Sequence, residues 1–232
     1  MSRFFIVCLF TMIVSTMSVC QEIENNFYSL GVTGGMAFMG ADKAFNDYQD
    51  TKFKSGAAFS FSPLYHFAPS ALDVSFHFGA YVGHHSMELT EQSASFGTLN
   101  STEIMVVFGL GKYAFEPGTG FLKADLGLGT AITSFDNGSY LNDVDAANGV
   151  KTNVSTDNAF ALALSGEGGI FLTKSVSLSG QLLMLVENVG NRWTMTGNGE
   201  TVPIKDFGDM LASSIQVQLS FRYWGFQEEV TK

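Results

Sequence analysis

The chain has 232 residues and a formal net charge of −10, with 46% hydrophobic and only 15% charged residues. The acidic balance excludes a protein that binds nucleic acid through a basic surface. No apolar run after the N-terminus is long enough for a membrane-spanning helix, while 25 glycines and 22 phenylalanines favour β structure.

Residues 1–20 have the pattern of a secretory signal peptide. Arg3 supplies a positive charge, residues 4–14 form an apolar stretch, and small residues lead to a cleavage site after Cys20. Both cysteines, Cys8 and Cys20, lie in this segment, so the sequence predicts a single exported domain over residues 21–232 without disulfide bonds. Cleavage before Cys20, followed by lipidation of that cysteine, is the alternative.

Eight segments of the exported part alternate apolar with polar or small residues. Because successive side chains of a strand point to opposite faces, each segment is predicted as a strand with one apolar and one polar face. In the clearest segment one face is formed by Leu72, Val74, Phe76, Phe78, Ala80 and Val82. The predicted strands cover approximately residues 27–39, 56–66, 71–83, 102–115, 121–134, 158–172, 175–187 and 211–224.

The connections between these segments alternate in length. They are long after the first, third, fifth and seventh segments and short after the second, fourth and sixth. Barrels of outer membranes have this rhythm, with short turns at the periplasmic side and long loops at the extracellular side. The prediction is therefore an all-β fold, an eight-stranded antiparallel up-and-down transmembrane barrel over about 27–226.

The last of these segments adds a further signal, Val217-Gln218-Leu219-Ser220-Phe221-Arg222-Tyr223. Together with the signal peptide, the eight strands and the loop rhythm, it resembles the small eight-stranded outer-membrane barrels of the OmpA/OmpX type. The resemblance implies a bacterial outer-membrane location and insertion by the barrel-assembly machinery, with Phe221 and Tyr223 as the last-strand insertion signal. Members of this family often end on the aromatic residue, whereas here residues 224–232 follow it.

Five charged residues fall on the polar faces at similar distances from the periplasmic turns. An eight-stranded barrel is barely wide enough for its own side chains, so we expect these groups to meet and to pair, because an isolated buried charge is very costly. The expected result is a salt-bridged network that fills the lumen, and an ion path is the alternative. The five residues are Asp73, Lys123, Asp125, Glu167 and Arg222.

His84, His85 and Ser86 lie where the predicted third strand meets its loop, with Glu88 and Glu91 nearby. We interpret them as a polar strand end. A histidine, a serine and a carboxylate at a membrane rim also resemble the triad of outer-membrane lipid A deacylases, although the spacing differs. A metal site is not predicted, because zinc needs three or four ligands and adjacent residues of a strand point oppositely.

Two further groups of residues are predicted to lie at the barrel ends. The acidic stretch 136–157 is predicted as a solvated loop rather than a Ca²⁺ site, because the spacing of an EF-hand loop is absent. Aromatic residues are predicted to form girdles at the two membrane interfaces. Those at the periplasmic end are Phe27, Tyr28, Tyr65, Phe67, Phe115, Phe121 and Tyr223, and those at the outer end are Phe38, Phe59, Phe135 and Phe160.

The sequence thus favours a porin-like barrel of the cell envelope with a structural or surface-interaction role and no enzymatic activity. Its expected partners are outer-membrane lipid and an extracellular ligand held by the four long loops, because loops carry most binding functions. No cofactor is predicted. Two alternatives remain, namely a lipid-modifying enzyme on the same scaffold and a soluble lipocalin-like carrier whose apolar faces point inward.

Overall fold

The computed structural model describes residues 25–40, 52–70, 72–91, 94–155, 158–188, 194–197, 200–203 and 211–226. The predicted signal peptide and parts of the predicted long loops lie outside these residues. Within them the chain forms twelve strands and one helix. In chain order these are β1 (Phe27–Gly40), β2 (Lys52–Lys54), β3 (Gly56–His66), β4 (Ser75–Glu91), β5 (Ala94–Tyr113), β6 (Gly120–Asn137), α1 (Ser139–Asn148), β7 (Asn153–Ser155), β8 (Ala159–Thr173), β9 (Val176–Asn188), β10 (Thr194–Gly197), β11 (Glu200–Pro203) and β12 (Leu211–Phe226).

Eight of these strands form a closed antiparallel barrel. The order around the barrel is β4-β3-β1-β12-β9-β8-β6-β5, and β5 pairs back with β4. The first and last strands close it along their whole length, from Phe27↔Phe226 to Gly40↔Ser213. Every neighbouring pair is antiparallel, so the predicted eight-stranded fold is confirmed.

The two faces of the barrel have opposite chemistry. Large apolar side chains of alternate residues are exposed on the outside, for example Val32, Leu164 and Leu219. Serine, threonine, glutamine, histidine and charged residues from the positions between them are buried inside. A soluble carrier would place its apolar faces inside, so the lipocalin-like alternative does not fit this arrangement.

The connection between β4 and β5 differs from its prediction as a long loop. Both strands continue as a hairpin to the pair Glu91↔Ala94, with an irregular register between Leu89 and Thr90. In this extension Met87, Leu89 and Leu99 point inward and are buried. The polarity of the two faces is therefore reversed relative to the rest of β4. The predicted strand ended too early, at residue 83, because it was identified by its outward apolar residues.

Residues predicted as a single long loop after β6 instead contain the helix α1 and the short strand β7. Gly149 ends the helix in a left-handed conformation, at φ 65°, that glycine adopts without strain. Asp145 accepts hydrogen bonds from the amide and the hydroxyl of Thr152, both at 2.6 Å, so its carboxylate is engaged in the fold. No helix among the described residues is long and apolar enough to span a membrane.

Strand β7 joins β10 and β11 in a separate three-stranded sheet. The pairs run from Thr194↔Ser155 to Thr196↔Asn153, so the connection after β6 is bound to the connection after β9. The helix is anchored to the hairpin, because the Gly138 amide donates to the Phe96 carbonyl at 2.8 Å and Tyr140 stacks on Phe96. The described parts of the longer connections thus form regular structure at the end of the barrel opposite the short turns.

Candidate functional site

The lumen is layered, and its lowest layer, at the end with the short turns, is aromatic. Trp224 is fully buried at the centre of this layer and donates from Nε1 to the Ser177 hydroxyl at 2.8 Å. Three of its members, Phe27, Phe115 and Phe121, were predicted in the periplasmic girdle, and that prediction is wrong because their side chains point into the barrel. The layer consists of Phe27, Tyr113, Phe115, Phe121, Phe171 and Trp224.

A layer of paired charges lies directly above the aromatic layer. Glu167 forms ion pairs with both cations of the layer. Lys123 Nζ and Arg222 Nη2 each lie 2.9 Å from its Oε2 atom. Lys123 also pairs with Asp125, whose other oxygen lies 2.6 Å from His77 Nε2. The structure therefore brings together four of the five charges predicted to meet, and the four contribute two positive and two negative charges.

Hydroxyl groups supply further hydrogen bonds to this charged layer. Ser179 donates to Glu167 Oε1 at 2.6 Å, and Ser165 donates to Asp125 Oδ2 at 2.9 Å. Arg222 donates to the hydroxyls of Ser29 and Ser62, each at 3.2 Å. Buried charges are stable only when they are paired and hydrogen-bonded, and this layer meets both conditions.

Asp73, the fifth predicted member, lies outside the lumen. The prediction of an inward position is wrong because β4 begins at Ser75, so Asp73 belongs to the turn before the strand. Its backbone has a positive φ of 56°, which breaks the alternation of the strand. Its side chain is 56% exposed and lies 3.7 Å from Lys112 Nζ.

A cavity of 20 Å³ lies above the charged layer. Lys123 and Asp125 line its lower side, and Tyr81, Met105 and Leu183 are among the side chains that line the rest. A volume of about 10 to 15 Å³ holds one water molecule, so this cavity is too small for a continuous water column.

A second polar cluster lies in the outer half of the lumen and joins three strands. It consists of His85 from β4, Glu103 from β5 and Glu187 from β9, whose ligand atoms all lie within 4.8 Å of one another. His85 Nδ1 is 2.8 Å from Glu103 Oε1. Ser101 donates to Glu187 Oε1 at 2.6 Å, and all three side chains of the cluster are buried.

This outer cluster is less completely satisfied than the charged layer. Among the described residues, no hydrogen bond reaches His85 Nε2 or Glu103 Oε2. Gln216 Nε2 approaches His85 Nδ1 only at 3.4 Å. None of the ion pairs in the described part of the chain joins Glu103 or Glu187 to a lysine or an arginine.

The predictions from the sequence did not connect Glu103 with His85 or Glu187. The alternation of each strand does place all three residues inward. Their meeting depends on how far each strand is shifted along its neighbours, which is visible in the pairs His85↔Ser101 and Ala161↔Glu187 but not in the sequence. The cluster could not be predicted without knowing this shift between neighbouring strands.

The triad suggested by His84, His85 and Ser86 is not assembled. His85 points into the lumen, whereas His84 and Ser86 lie on the opposite, half-buried face. His84 Nδ1 is 3.0 Å from the Thr102 hydroxyl, and Glu88 pairs with Lys54 at 3.2 Å. The side chain of Glu91 lies outside the described residues.

The residues of the predicted insertion signal, Phe221 and Tyr223, lie on the outer face of β12. Their side chains are exposed, at 54% and 44%. The buried residues between and after them, Arg222 and Trp224, belong to the charged and aromatic layers. One strand therefore supplies both the outward aromatic residues and two central side chains of the lumen.

The chain is similar to solved structures of outer-membrane proteins. No protein-family model matches the chain, and no curated protein sequence matches it. The crystal structure of the outer membrane protein OprG from Pseudomonas aeruginosa is similar, with 11% identity over 90% of this chain and 98% of that chain and a TM-score of 0.46. Neisserial surface protein A is also similar, with 12% identity over 86% of this chain and 99% of that chain and a TM-score of 0.43.

Proposed function

We propose that this protein is a barrel of the bacterial outer membrane that anchors an ordered surface structure and conducts no ions. The proposal rests on the packing of the lumen, in which an aromatic layer, a charged layer and a cavity of only 20 Å³ follow one another. A pore needs a continuous water path, and buried side chains occupy that path here. The apolar exterior supports the membrane location, because large exposed apolar patches mark lipid-facing surfaces.

Membrane location is tested by fractionation of cells that produce the full chain. We expect the protein to sediment with the outer membrane and to enter solution only with detergent. On a denaturing gel, the unheated sample, which keeps the folded barrel, is expected to migrate faster than a sample that was boiled first. A protein that stays soluble after high-speed centrifugation would contradict the proposal.

Closure of the lumen is tested by conductance of planar bilayers that contain the purified protein. We expect no stable channel, because Arg222 and Glu167 pair across the path at 2.9 Å. The matched comparison is a Phe27→Ala, Trp224→Ala variant, which removes two large rings from the lowest layer. A stable, large conductance of the unchanged protein would refute the closed lumen.

The surface role rests on the ordered end opposite the short turns. The β4–β5 hairpin, α1 and the three-stranded sheet lie in connections at this one end, which the rule for outer-membrane barrels places outside the cell. An epitope inserted between residues 198 and 199 is expected to be labelled on intact cells. An epitope at the C-terminus is expected to be labelled only after permeabilisation, and the reverse pattern would invert the proposed orientation.

Phe221 and Tyr223 are proposed to promote insertion because they are exposed on the outer face of the last strand. A Phe221→Ala, Tyr223→Ala variant is expected to lower the amount of assembled barrel in cells. Phe160→Ala, an equally exposed aromatic on β8, is the matched control. Equal amounts of assembled barrel in all three proteins would argue against the insertion role.

A non-enzymatic role is proposed because His85 and Ser86 lie on opposite faces of β4 and do not form a nucleophile–base pair. Cells with and without the protein are therefore expected to have lipopolysaccharide of the same mass. Loss of an acyl chain that depends on Ser86 would support the enzyme alternative instead.

A further inference from the structure

We propose that His85, Glu103 and Glu187 bind one divalent ion of a first-row transition metal inside the barrel. The site goes beyond the proposed function and does not depend on it, because it concerns only the outer half of the lumen. Its three residues come from β4, β5 and β9, and β9 lies across the barrel from the other two strands. A bound ion would therefore connect opposite walls.

The geometry is close to that of a metal site. Ligand atoms that share one ion at bond lengths of about 2.0 to 2.2 Å lie about 3 to 4 Å apart. The three ligand atoms of the cluster already lie within 4.8 Å of one another. Rotation of the glutamate side chains is enough to close the remaining distance, since each has three rotatable bonds.

Unused polar atoms point to a ligand at this place. His85 Nε2 and Glu103 Oε2 are buried and have no hydrogen bond among the described residues. Buried polar groups in folded proteins are nearly always paired, so two such atoms in one cluster need an explanation.

The balance of charges in the outer cluster also favours a bound cation. Two carboxylates are buried in the outer cluster, whereas the lumen cations Lys123 and Arg222 are paired with Glu167 in the lower layer. His85 can balance at most one of the two negative charges, and an uncompensated charge in such surroundings is very costly. A divalent cation would neutralise Glu103 and Glu187 together.

The neighbouring strands leave room for these side chains. The residues paired directly with the three ligands are small: Ala58 faces His85, Gly83 and Ala131 flank Glu103, and Ala161 faces Glu187. A Cβ atom at Gly83 would lie only 2.6 Å from Glu103 Oε2 and 2.5 Å from the Tyr81 hydroxyl. The site is therefore built around the Glu103 carboxylate.

The ligand set selects the class of ion. One imidazole and two carboxylates suit Zn²⁺, Mn²⁺ or Fe²⁺, whereas Ca²⁺ and Mg²⁺ prefer oxygen ligands alone and Cu⁺ prefers sulfur. Met87, Leu89 and Leu99 are buried further toward the outer end and separate the cluster from that end. Such enclosure is typical of a structural ion acquired during folding rather than of an exchangeable one.

The experiment refolds the full chain into detergent with and without Zn²⁺, removes free ion by desalting, and measures bound metal by elemental analysis. Heat-modifiable gel mobility verifies that each sample is folded. We expect one equivalent of Zn²⁺ in the unchanged protein and a higher melting temperature for the sample refolded with the ion. A folded protein that retains no Zn²⁺ would overturn the proposal.

A matched pair of variants locates the ion. Glu103→Gln with Glu187→Gln is expected to lower the affinity for Zn²⁺ at least about tenfold, since ligand removal costs no less than a change in the residues around a site. His84→Ala changes the adjacent histidine on the other face and is expected to keep the full equivalent. Equal retention by the double variant and the unchanged protein would overturn the assignment.

Co²⁺ provides a measurement that needs no folded variant. The unchanged protein refolded with Co²⁺ is expected to show the visible absorption of an ion with nitrogen and oxygen ligands in a site of low symmetry. A spectrum identical to that of hydrated Co²⁺ would overturn the proposal even if the glutamate variants fail to fold.

Discussion

The two polar clusters of the lumen solve the same electrostatic problem in different ways. In the lower one, Lys123 and Arg222 balance Asp125 and Glu167, and serine hydroxyls occupy the remaining positions. In the outer one, two buried carboxylates meet a histidine without an ion pair to lysine or arginine in the described part of the chain. This difference underlies the proposal that a divalent ion completes the second cluster.

The largest expected effect is on the balanced cluster. Glu167→Gln leaves Lys123 and Arg222 with one carboxylate instead of two. Breaking a buried ion pair on one side costs about 3 to 5 kcal/mol of unfolding free energy. The measurement is urea unfolding of the folded barrel in detergent, monitored by tryptophan fluorescence. A loss below about 1 kcal/mol, the size of a surface-mutation effect, would show that the layer tolerates unbalanced charge.

A smaller effect of opposite sign is expected for the outer cluster in metal-free protein. Glu103→Gln with Glu187→Gln keeps the shape of the side chains but removes two negative charges, of which His85 can balance at most one. We expect the unfolding free energy to rise by about 1 to 3 kcal/mol, the usual cost of unsatisfied buried polar groups. The same urea titration checks it, and destabilisation as large as that of Glu167→Gln would remove the distinction between the two clusters.

The coupling free energy between Arg222 and Glu167 is expected to be smaller than the loss caused by Glu167→Gln alone. Arg222→Gln combined with Glu167→Gln leaves one cation and one anion, Lys123 and Asp125. A double-mutant cycle is therefore expected to show a favourable coupling of about 0.5 to 3 kcal/mol between Arg222 and Glu167. Additive effects of the two substitutions would mean that their contact at 2.9 Å carries no net energy.

The smallest effect is expected for the charge that sequence reasoning placed in the same cluster. Asp73 is more than half exposed and 3.7 Å from Lys112, so Asp73→Asn is expected to change the unfolding free energy by less than about 0.5 kcal/mol. This variant is the control for Glu167→Gln, because both replace an acid by its amide. A large loss for Asp73→Asn would place this residue back in the network.

The period-two alternation was sufficient to predict most of the barrel strands. The predicted second strand, 56–66, has the observed bounds of β3, and the sixth and seventh agree closely with β8 and β9. The prediction failed where the environment changes along one strand. Met87 and Leu99 point inward in the β4–β5 hairpin, so the apolar residues there are on the face that was expected to be polar.

The lumen was only partly predictable for a related reason. Alternation gives the face of each side chain, and it placed Lys123, Asp125, Glu167 and Arg222 inward. It gave no reason to put Phe27, Phe115 and Phe121 there, because aromatic residues at a barrel end fit a membrane girdle equally well. Their place inside follows from packing around Trp224, 5.4 Å from the rings of both Phe115 and Phe121.

The sequence by itself determined the number of barrel strands, their antiparallel order and the chemistry of their two faces, because successive residues of a strand point to opposite sides. The tertiary structure alone decided which inward groups meet. Contacts between Arg222 and Glu167, or among His85, Glu103 and Glu187, depend on the shift of each strand against its neighbours and on closure of the barrel. These are properties of the whole sheet, and no single strand contains them.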